Sequence, residues 1–393
     1  MLPLEGVRVA EFCEVAAGPF CGMLLADMGA DVIKVERPEG DGMRQWPPAP
    51  SGYSENFASV NRNKRSIVFD LKQESDRLAA RALALSCDIV IENYRPGTMA
   101  RYSLDYQSLA AEKPDIIMVS MSAFGQDGPR AQEGGFDLTL QAIAGVMSVT
   151  GEPGGAPIKC GVPLCDFVTG LYGAYAAVSV LRRVNDGGAG GHIDVPMMAT
   201  TLAIAALQTS EYFGTGSDPK KLGSAHPRNA PYQAFRSAEG WFAMAAGNNR
   251  LWQRVCDVVA TPELKDDPRF ASPQLRAKNQ AALCELLDPI FMSRPAARWI
   301  ELFSEAGVPS TPINSYSQAL ADPQVLHLGL VEPLNLPSGV KTQTVGSPVR
   351  LNGEIFPIRR SPPGLGEHTA EVRAELARES GAGRRKQSSG PKQ

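Results

Sequence analysis

Residues 7–36 read VRVAEFCEVAAGPFCGMLLADMGADVIKVE. Val7 to Phe12 is a short apolar strand, and Cys13 to Gly18 is a loop. Pro19 opens a helix that runs through Met28 and stops at Gly29. Asp31 to Glu36 is the next strand. Strand, helix and strand in so short a span form a βαβ unit, which predicts a parallel sheet. The loop resembles a nucleotide-binding turn, and Glu36 stands where a dinucleotide fold places its ribose-binding acid. The G-x-G-x-x-G pattern is missing, however, with only Gly18 and Gly22 present, so an NAD site fits poorly. The helix start still offers unpaired N–H groups to a phosphate or a charged intermediate.

The same alternation continues outward. Asp41 to Asn61 is Pro- and Gly-rich and reads as an ordered loop over the sheet edge. Ser66–Asp70, Asp88–Glu92 and Ile116–Ser120 read as further strands, with a helix from Gln73 to Leu85. Asn93-Tyr94-Arg95-Pro96-Gly97 is a turn into a helix that carries Arg101. Residues 1–214 therefore form one large α/β domain, and 215–230, polar and turn-rich, form a linker. Residues 231–328 change character: a strand pair, then helices with charged faces, forming a smaller α+β domain. Residues 329–375 regain strand-like alternation and return to the large domain. The basic stretch 376–393 is expected to be a disordered tail.

A chain of 393 residues with 43% hydrophobic and 21% charged residues has ample material for such a core. A net charge of −3 argues against nucleic-acid and anionic-membrane partners. No segment reaches ~18 consecutive apolar residues; the runs near 170–181 and 197–207 are broken by Gly, Ser or Thr. The N-terminus lacks a signal-peptide pattern. The seven cysteines (13, 21, 87, 160, 165, 256, 284) include no C-x-x-C and read as reduced residues of a cytoplasmic protein. The four histidines show no metal-ligand spacing, and no metal site is expected.

One carboxylate stands out. In Gly161-Val162-Pro163-Leu164-Cys165-Asp166-Phe167-Val168-Thr169-Gly170, Asp166 follows a turn-rich loop and precedes a small-residue helix, Leu171 to Arg183. Taken alone, this pattern reads first as a helix cap; the sharper reading is a carboxylate nucleophile. Cys165 is a rival nucleophile without a visible partner to lower its pKa, and reads as a buried apolar residue.

Six segments decide between these readings. Leu4-Glu5-Gly6-Val7, Ala17-Gly18-Pro19-Phe20, residues 29–38 (GADVIKVERP), Asn61-Arg62-Asn63-Lys64-Arg65-Ser66, Glu92-Asn93-Tyr94-Arg95-Pro96-Gly97 and the Asp166 segment together resemble the class III CoA-transferases. The resemblance runs from about residue 3 to 372. Within that family the likeness is greatest to the succinyl-CoA:glutarate type, through Pro231-Tyr232-Gln233-Ala234-Phe235, Ala246-Gly247-Asn248-Asn249, Gly307-Val308-Pro309 and Asp322-Pro323-Gln324-Val325-Leu326-His327. The resemblance implies a Rossmann-like large domain formed by both chain ends, a smaller domain, and an interlocked homodimer. It places Asp166 on the catalytic aspartate. It makes coenzyme A a substrate, with no tightly bound cofactor, held by Val15, Ala16, Ala17, Arg37, Phe69, Lys72, Asn93, Tyr94 and Arg101.

The implied activity moves CoA from an acyl-CoA such as succinyl-CoA to a carboxylic acid, through an aspartyl anhydride and an aspartyl-CoA thioester. Since a carboxylate is ionised at neutral pH, no metal or histidine base is required. Gly247, Asn248 and Asn249 are a candidate lid loop. Arg44, Arg65, His226 and Arg228 are all conceivable partners for the distal carboxylate of a dicarboxylate acceptor. The α-methylacyl-CoA racemases of the same family carry a His before the Asp of a G-H-D motif. Here the segment is Gly135-Phe136-Asp137, and Phe cannot relay a proton. A non-catalytic CoA-binding protein and an NAD-dependent dehydrogenase are the remaining alternatives.

Overall fold

The computed structural model describes residues 1–388 and divides into two compact units. One comprises Met1–Val146, Cys160–Phe213 and the chain from Gln324 onward, so both ends of the chain build it. Its centre is a six-stranded parallel sheet of β1 (Arg8–Phe12), β2 (Asp31–Glu36), β3 (Lys64–Val68), β4 (Ile89–Glu92), β5 (Ile117–Ser122) and β6 (Gly191–Pro196). The order β3-β2-β1-β4-β5-β6 is the doubly wound, Rossmann-type order, in which the winding reverses between β1 and β4.

Both faces of the sheet are covered, which is why its strands are near-continuous apolar runs. Val9, Val32, Ile89, Ile91, Ile117 and Val119 pack on one side against the helices Ala17–Asp27 and Leu164–Asn185. Ala10, Phe12, Ile33, Val35, Ile67 and Val90 pack on the other against Leu83, Leu104, Leu109 and Val372. The helix Leu164–Asn185 is long and apolar enough to cross a membrane by composition. In this unit it buries Gly170, Gly173, Ala174, Ala177 and Leu181 against the sheet and its neighbouring helix.

Small residues set that packing. A Cβ on Gly170 would stand 2.7 Å from the Ala17 carbonyl oxygen and 3.1 Å from the Cys21 nitrogen. Gly170→Val is therefore expected to push the Asp166 helix off the helix after the first loop, at a cost of about 1–3 kcal/mol. A lowered Tm checks this; an unchanged Tm would mean that the two helices separate freely.

The segment Asn61–Ser66 is buried and structural. Asp27 receives Arg62 through two hydrogen bonds of 2.6 and 3.0 Å and Asn63 through one of 2.8 Å. Asn63 Oδ1 in turn accepts the backbone N–H groups of Arg359 and Arg360, tying the C-terminal return to this unit.

The second unit comprises Met147–Lys159 and Gly214–Pro323. It holds an antiparallel sheet of β7 (Tyr232–Arg236), β8 (Trp241–Ala245) and β9 (Ser310–Pro312), over helices Asn249–Val258, Gln280–Phe291 and Ala296–Glu305. Phe235, Phe242, Phe291, Trp299 and Phe303 form its aromatic core.

Several sequence expectations need correction. The helix expected from Pro19 begins at Ala17. Strand β6, which the sequence reading does not foresee, is an edge strand whose His192 and Asp194 side chains are exposed. Residues 147–159 cluster with the second unit rather than the first, and 215–230 belong to that unit's body. The turn after Gly97 leads into a short 3-10 turn, Ala100–Tyr102, rather than a full helix. The tail expected to be disordered from 376 continues the helix Thr369–Ser388; residues 389–393 lie outside the described residues.

Candidate active site

At the switch point the loops after β1 and β4 face each other. Asn93 bridges them: its amide accepts the Glu14 N–H at 3.0 Å and donates to the Glu14 carbonyl at 2.8 Å. Crevices at such points are where doubly wound proteins bind their ligands. Two cavities of about 320 and 440 Å3 open here, and Glu14 and Tyr94 line both.

The first cavity is walled by Val15, Ala16 and Ala17, by Asn93, Tyr94 and Arg95, by Gly134 to Phe136, and by Asp166. Asp166 sits in the first turn of the helix Leu164–Asn185 and is half-buried. It caps nothing. The cap at this end comes from Asp137, whose carboxylate accepts the Cys165 N–H at 2.9 Å and the Gln141 amide at 2.7 Å. Among the described residues, the Asp166 carboxylate has no hydrogen-bond partner, so its oxygens are open to the cavity.

The protonation of Asp166 differs from expectation. A helix N-terminus favours an anion. Burial, seconded by the negative charge of Asp137, outweighs it and pushes the Asp166 carboxyl up to about 7. At neutral pH the group is thus close to half protonated, not fully ionised. Burial likewise pushes the neighbouring Cys165 thiol up to about 11, which removes it as a nucleophile.

The second cavity holds two cations, Arg37 and Lys72, beside Phe69 and Tyr102 and four acids, Glu14, Glu36, Glu39 and Asp70. Phe69 is buried, while Arg37 and Lys72 are exposed cations. Such cations suit phosphate oxygens. Glu36 cannot act as a ribose acid, because both its oxygens are taken by Arg44 at 2.7 Å and one also accepts the Ser66 hydroxyl. That removes the structural basis of the dehydrogenase alternative.

Of the residues singled out in the sequence, Val15, Ala16, Ala17, Asn93, Tyr94 and Asp166 meet at the first cavity, and Arg37, Phe69, Lys72 and Tyr94 at the second. Arg101 is exposed on its 3-10 turn and lines neither. Gly247, Asn248 and Asn249 lie in the second unit, where Asn248 caps a helix through the Leu251 N–H and Asn249 accepts Arg276 at 3.0 Å. Arg44 is held by Glu36, and Arg65 by Asp31, Glu371 and Glu375. His226 and Arg228 belong to the second unit. Arg95 was missed. It stood inside a quoted motif, but its side chain lies over Gly134, where a Cβ would come within 3.0 Å of its guanidinium.

A doubly wound sheet with an open carboxylate, and with Arg37 and Lys72 exposed in a mixed-charge cleft at its switch point, is an α/β protein with groups that could meet a phosphate-bearing ligand. Residues 4–369 match the model of CoA-transferase family III. The chain is 38% identical over 382 residues to a succinate–glutarate CoA-transferase of Agrobacterium fabrum, covering 95% of this chain and 96% of the relative. It is 37% identical over 378 residues to the succinyl-CoA:glutarate CoA-transferase of Homo sapiens, covering 96% and 86%. A crystal structure of a CAIB/BAIF family protein from Brucella suis superposes with a TM-score of 0.85 at 38% identity, covering 95% and 99%. The chain belongs to the class III CoA-transferases, enzymes that act on CoA thioesters.

Proposed function

We propose that this enzyme moves CoA from an acyl-CoA donor such as succinyl-CoA to glutarate or a related dicarboxylic acid, with Asp166 as nucleophile. The observation that carries the reading is the unpartnered Asp166 carboxylate, in a cavity that shares Glu14 and Tyr94 with the one holding Arg37 and Lys72. CoA would place its phosphates toward Arg37 and Lys72 and its thioester beside Asp166.

An Asp166 oxygen attacks the donor carbonyl; the C–S bond breaks, CoA leaves as thiolate, and a mixed anhydride forms. The thiolate attacks the Asp166 carboxyl carbon, releasing the donor acid and leaving an aspartyl-CoA thioester. The acceptor carboxylate displaces the thiolate from that carbon, forming a second anhydride. The thiolate then takes the acceptor's acyl group and restores the carboxylate. Neither protons nor electrons are consumed. Each step develops an oxyanion, for which the backbone N–H groups at Ala17–Gly18, in the first turn of their helix, would be the donors. A homodimer and a cytoplasmic setting belong to the same proposal; Leu171, Tyr175 and Val178 offer an exposed apolar stripe on the Asp166 helix to a second copy.

The test is an exchange assay. Purified protein is mixed with succinyl-CoA and a panel of mono- and dicarboxylates, and new thioesters are read by mass spectrometry. A new dicarboxylyl-CoA is expected; no exchange with any acceptor would sink the reading.

Among the described residues lining the Asp166 cavity, Arg95 is the one cation, and we place it against the acceptor's distal carboxylate. A charge-assisted hydrogen bond contributes roughly 1.5–3 kcal/mol. Arg95→Ala is therefore expected to raise the dicarboxylate KM about 10- to 100-fold, with a monocarboxylate acceptor affected only a few-fold. Equal effects on both acceptors would mean that Arg95 serves CoA instead.

A further inference from the structure

The first loop is held in a conformation its own sequence resists. Val15 has φ of 66°, in the left-handed region, which a β-branched residue rarely enters. Nothing within Glu14–Ala17 compensates for it. The compensation comes from Asp41, whose two carboxylate oxygens accept the Val15 N–H at 3.1 and 3.2 Å. Asp41 is itself buried and fixed. Lys34, fully buried, contacts it at 2.9 Å, and the same ammonium donates to the Cys13 carbonyl at 2.7 Å. Lys34 is anchored in turn by Glu11 at 3.2 Å. A single buried charge chain thus grips the loop at Cys13 and at the strained Val15 itself.

We propose that Asp41 is a positioning residue for CoA transfer: through the Val15 N–H it fixes the backbone that walls the Asp166 cavity. This rests on the transferase reading for its kinetic half only. Asp41 lines neither cavity, so it acts through the loop and not on the substrate. Strain kept at a site persists only when its surroundings over-determine it, and Asp41 with Lys34 supplies that surplus here. The chain of contacts accounts for a charged pair buried behind the site, where apolar residues would pack at lower desolvation cost.

The test compares Asp41→Asn, Val15→Gly and the double variant. Asp41→Asn is expected to lower kcat about 10- to 100-fold, in the range of a misplaced oxyanion donor, while the acyl-CoA KM changes less than about threefold. Glycine reaches positive φ without strain, so in the Val15→Gly background the same change should cost several-fold less. Backbone hydrogen exchange read by mass spectrometry should speed up in residues 13–17 of Asp41→Asn and stay unchanged in β2. Should Asp41→Asn fail to fold, the double variant is expected to fold. Equal cost in both backgrounds, failure to fold in both, or a rise in KM in place of a fall in kcat would overturn the proposal. If the wild type transfers no CoA, the exchange measurement decides the positioning alone: unchanged exchange in residues 13–17 would reject it.

Discussion

Asp166→Ala is expected to lower CoA transfer on the order of 10⁴-fold, because the covalent route through its carboxylate is lost. Cys165 is buried with its thiol pushed up to about 11. Asp137, whose charge acts on Asp166, has its oxygens holding the Cys165 N–H and the Gln141 amide. The loss should fall on kcat, with acyl-CoA still binding, since Asp166 acts on the reacting carbon and the cations Arg37 and Lys72 remain. A misfolded variant is excluded by a linkage measurement. A carboxyl whose folded pKa is raised makes its full contribution to stability below its unfolded value near 4, and loses it as pH rises through about 7. The isosteric Asp166→Asn, inactive for the same reason, escapes that loss. Its Tm should exceed that of the wild type, by more at pH 8 than at pH 5. A variant that is both inactive and less stable at pH 8 would point to a structural role.

The second large effect is on pH. Because burial and Asp137 raise the Asp166 carboxyl to about 7, the nucleophile is the minority form below that pH. The kcat/KM for acyl-CoA reports the free enzyme. It should rise tenfold per pH unit through the acidic range, level off above about 8, and be about 100-fold lower at pH 5 than at the plateau. Asp137→Asn removes the second cause and should move the acidic limb to lower pH. A flat profile between pH 5 and 8 would show that another step, or another group, governs the rate. A raised pKa has a chemical use as well: a more basic carboxylate is a stronger nucleophile, at the cost of a smaller ionised fraction.

The legibility of the fold varied with burial. β4 was readable because, covered on both faces, it is an unbroken apolar run, Ile89-Val90-Ile91, and β1 and β2 because their apolar runs are interrupted only by the buried Glu11 and Lys34. β6 was not, since its exposed His192 and Asp194 alternate with half-buried residues and it ends at Pro196. β9 has only Ser310–Pro312 to show. In the candidate site, residues 15–17 and Asp166, which line one cavity, stand in motifs recognisable by their order along the chain. The raised pKa was not, because it depends on Asp137 arriving from another helix. Nor was the load on Arg44 and Arg65, two exposed-looking cations that the fold turns inward to Glu36 and Asp31. Spacing records which residues share an element; it does not record which charges end up facing each other.

The most direct test of the central claim is peptide mass spectrometry of protein quenched seconds after mixing with succinyl-CoA in the absence of acceptor. A CoA adduct is expected on the peptide that carries Asp166, absent from Asp166→Ala and discharged when glutarate is added. An adduct on another residue, or full exchange activity in Asp166→Ala, would contradict it.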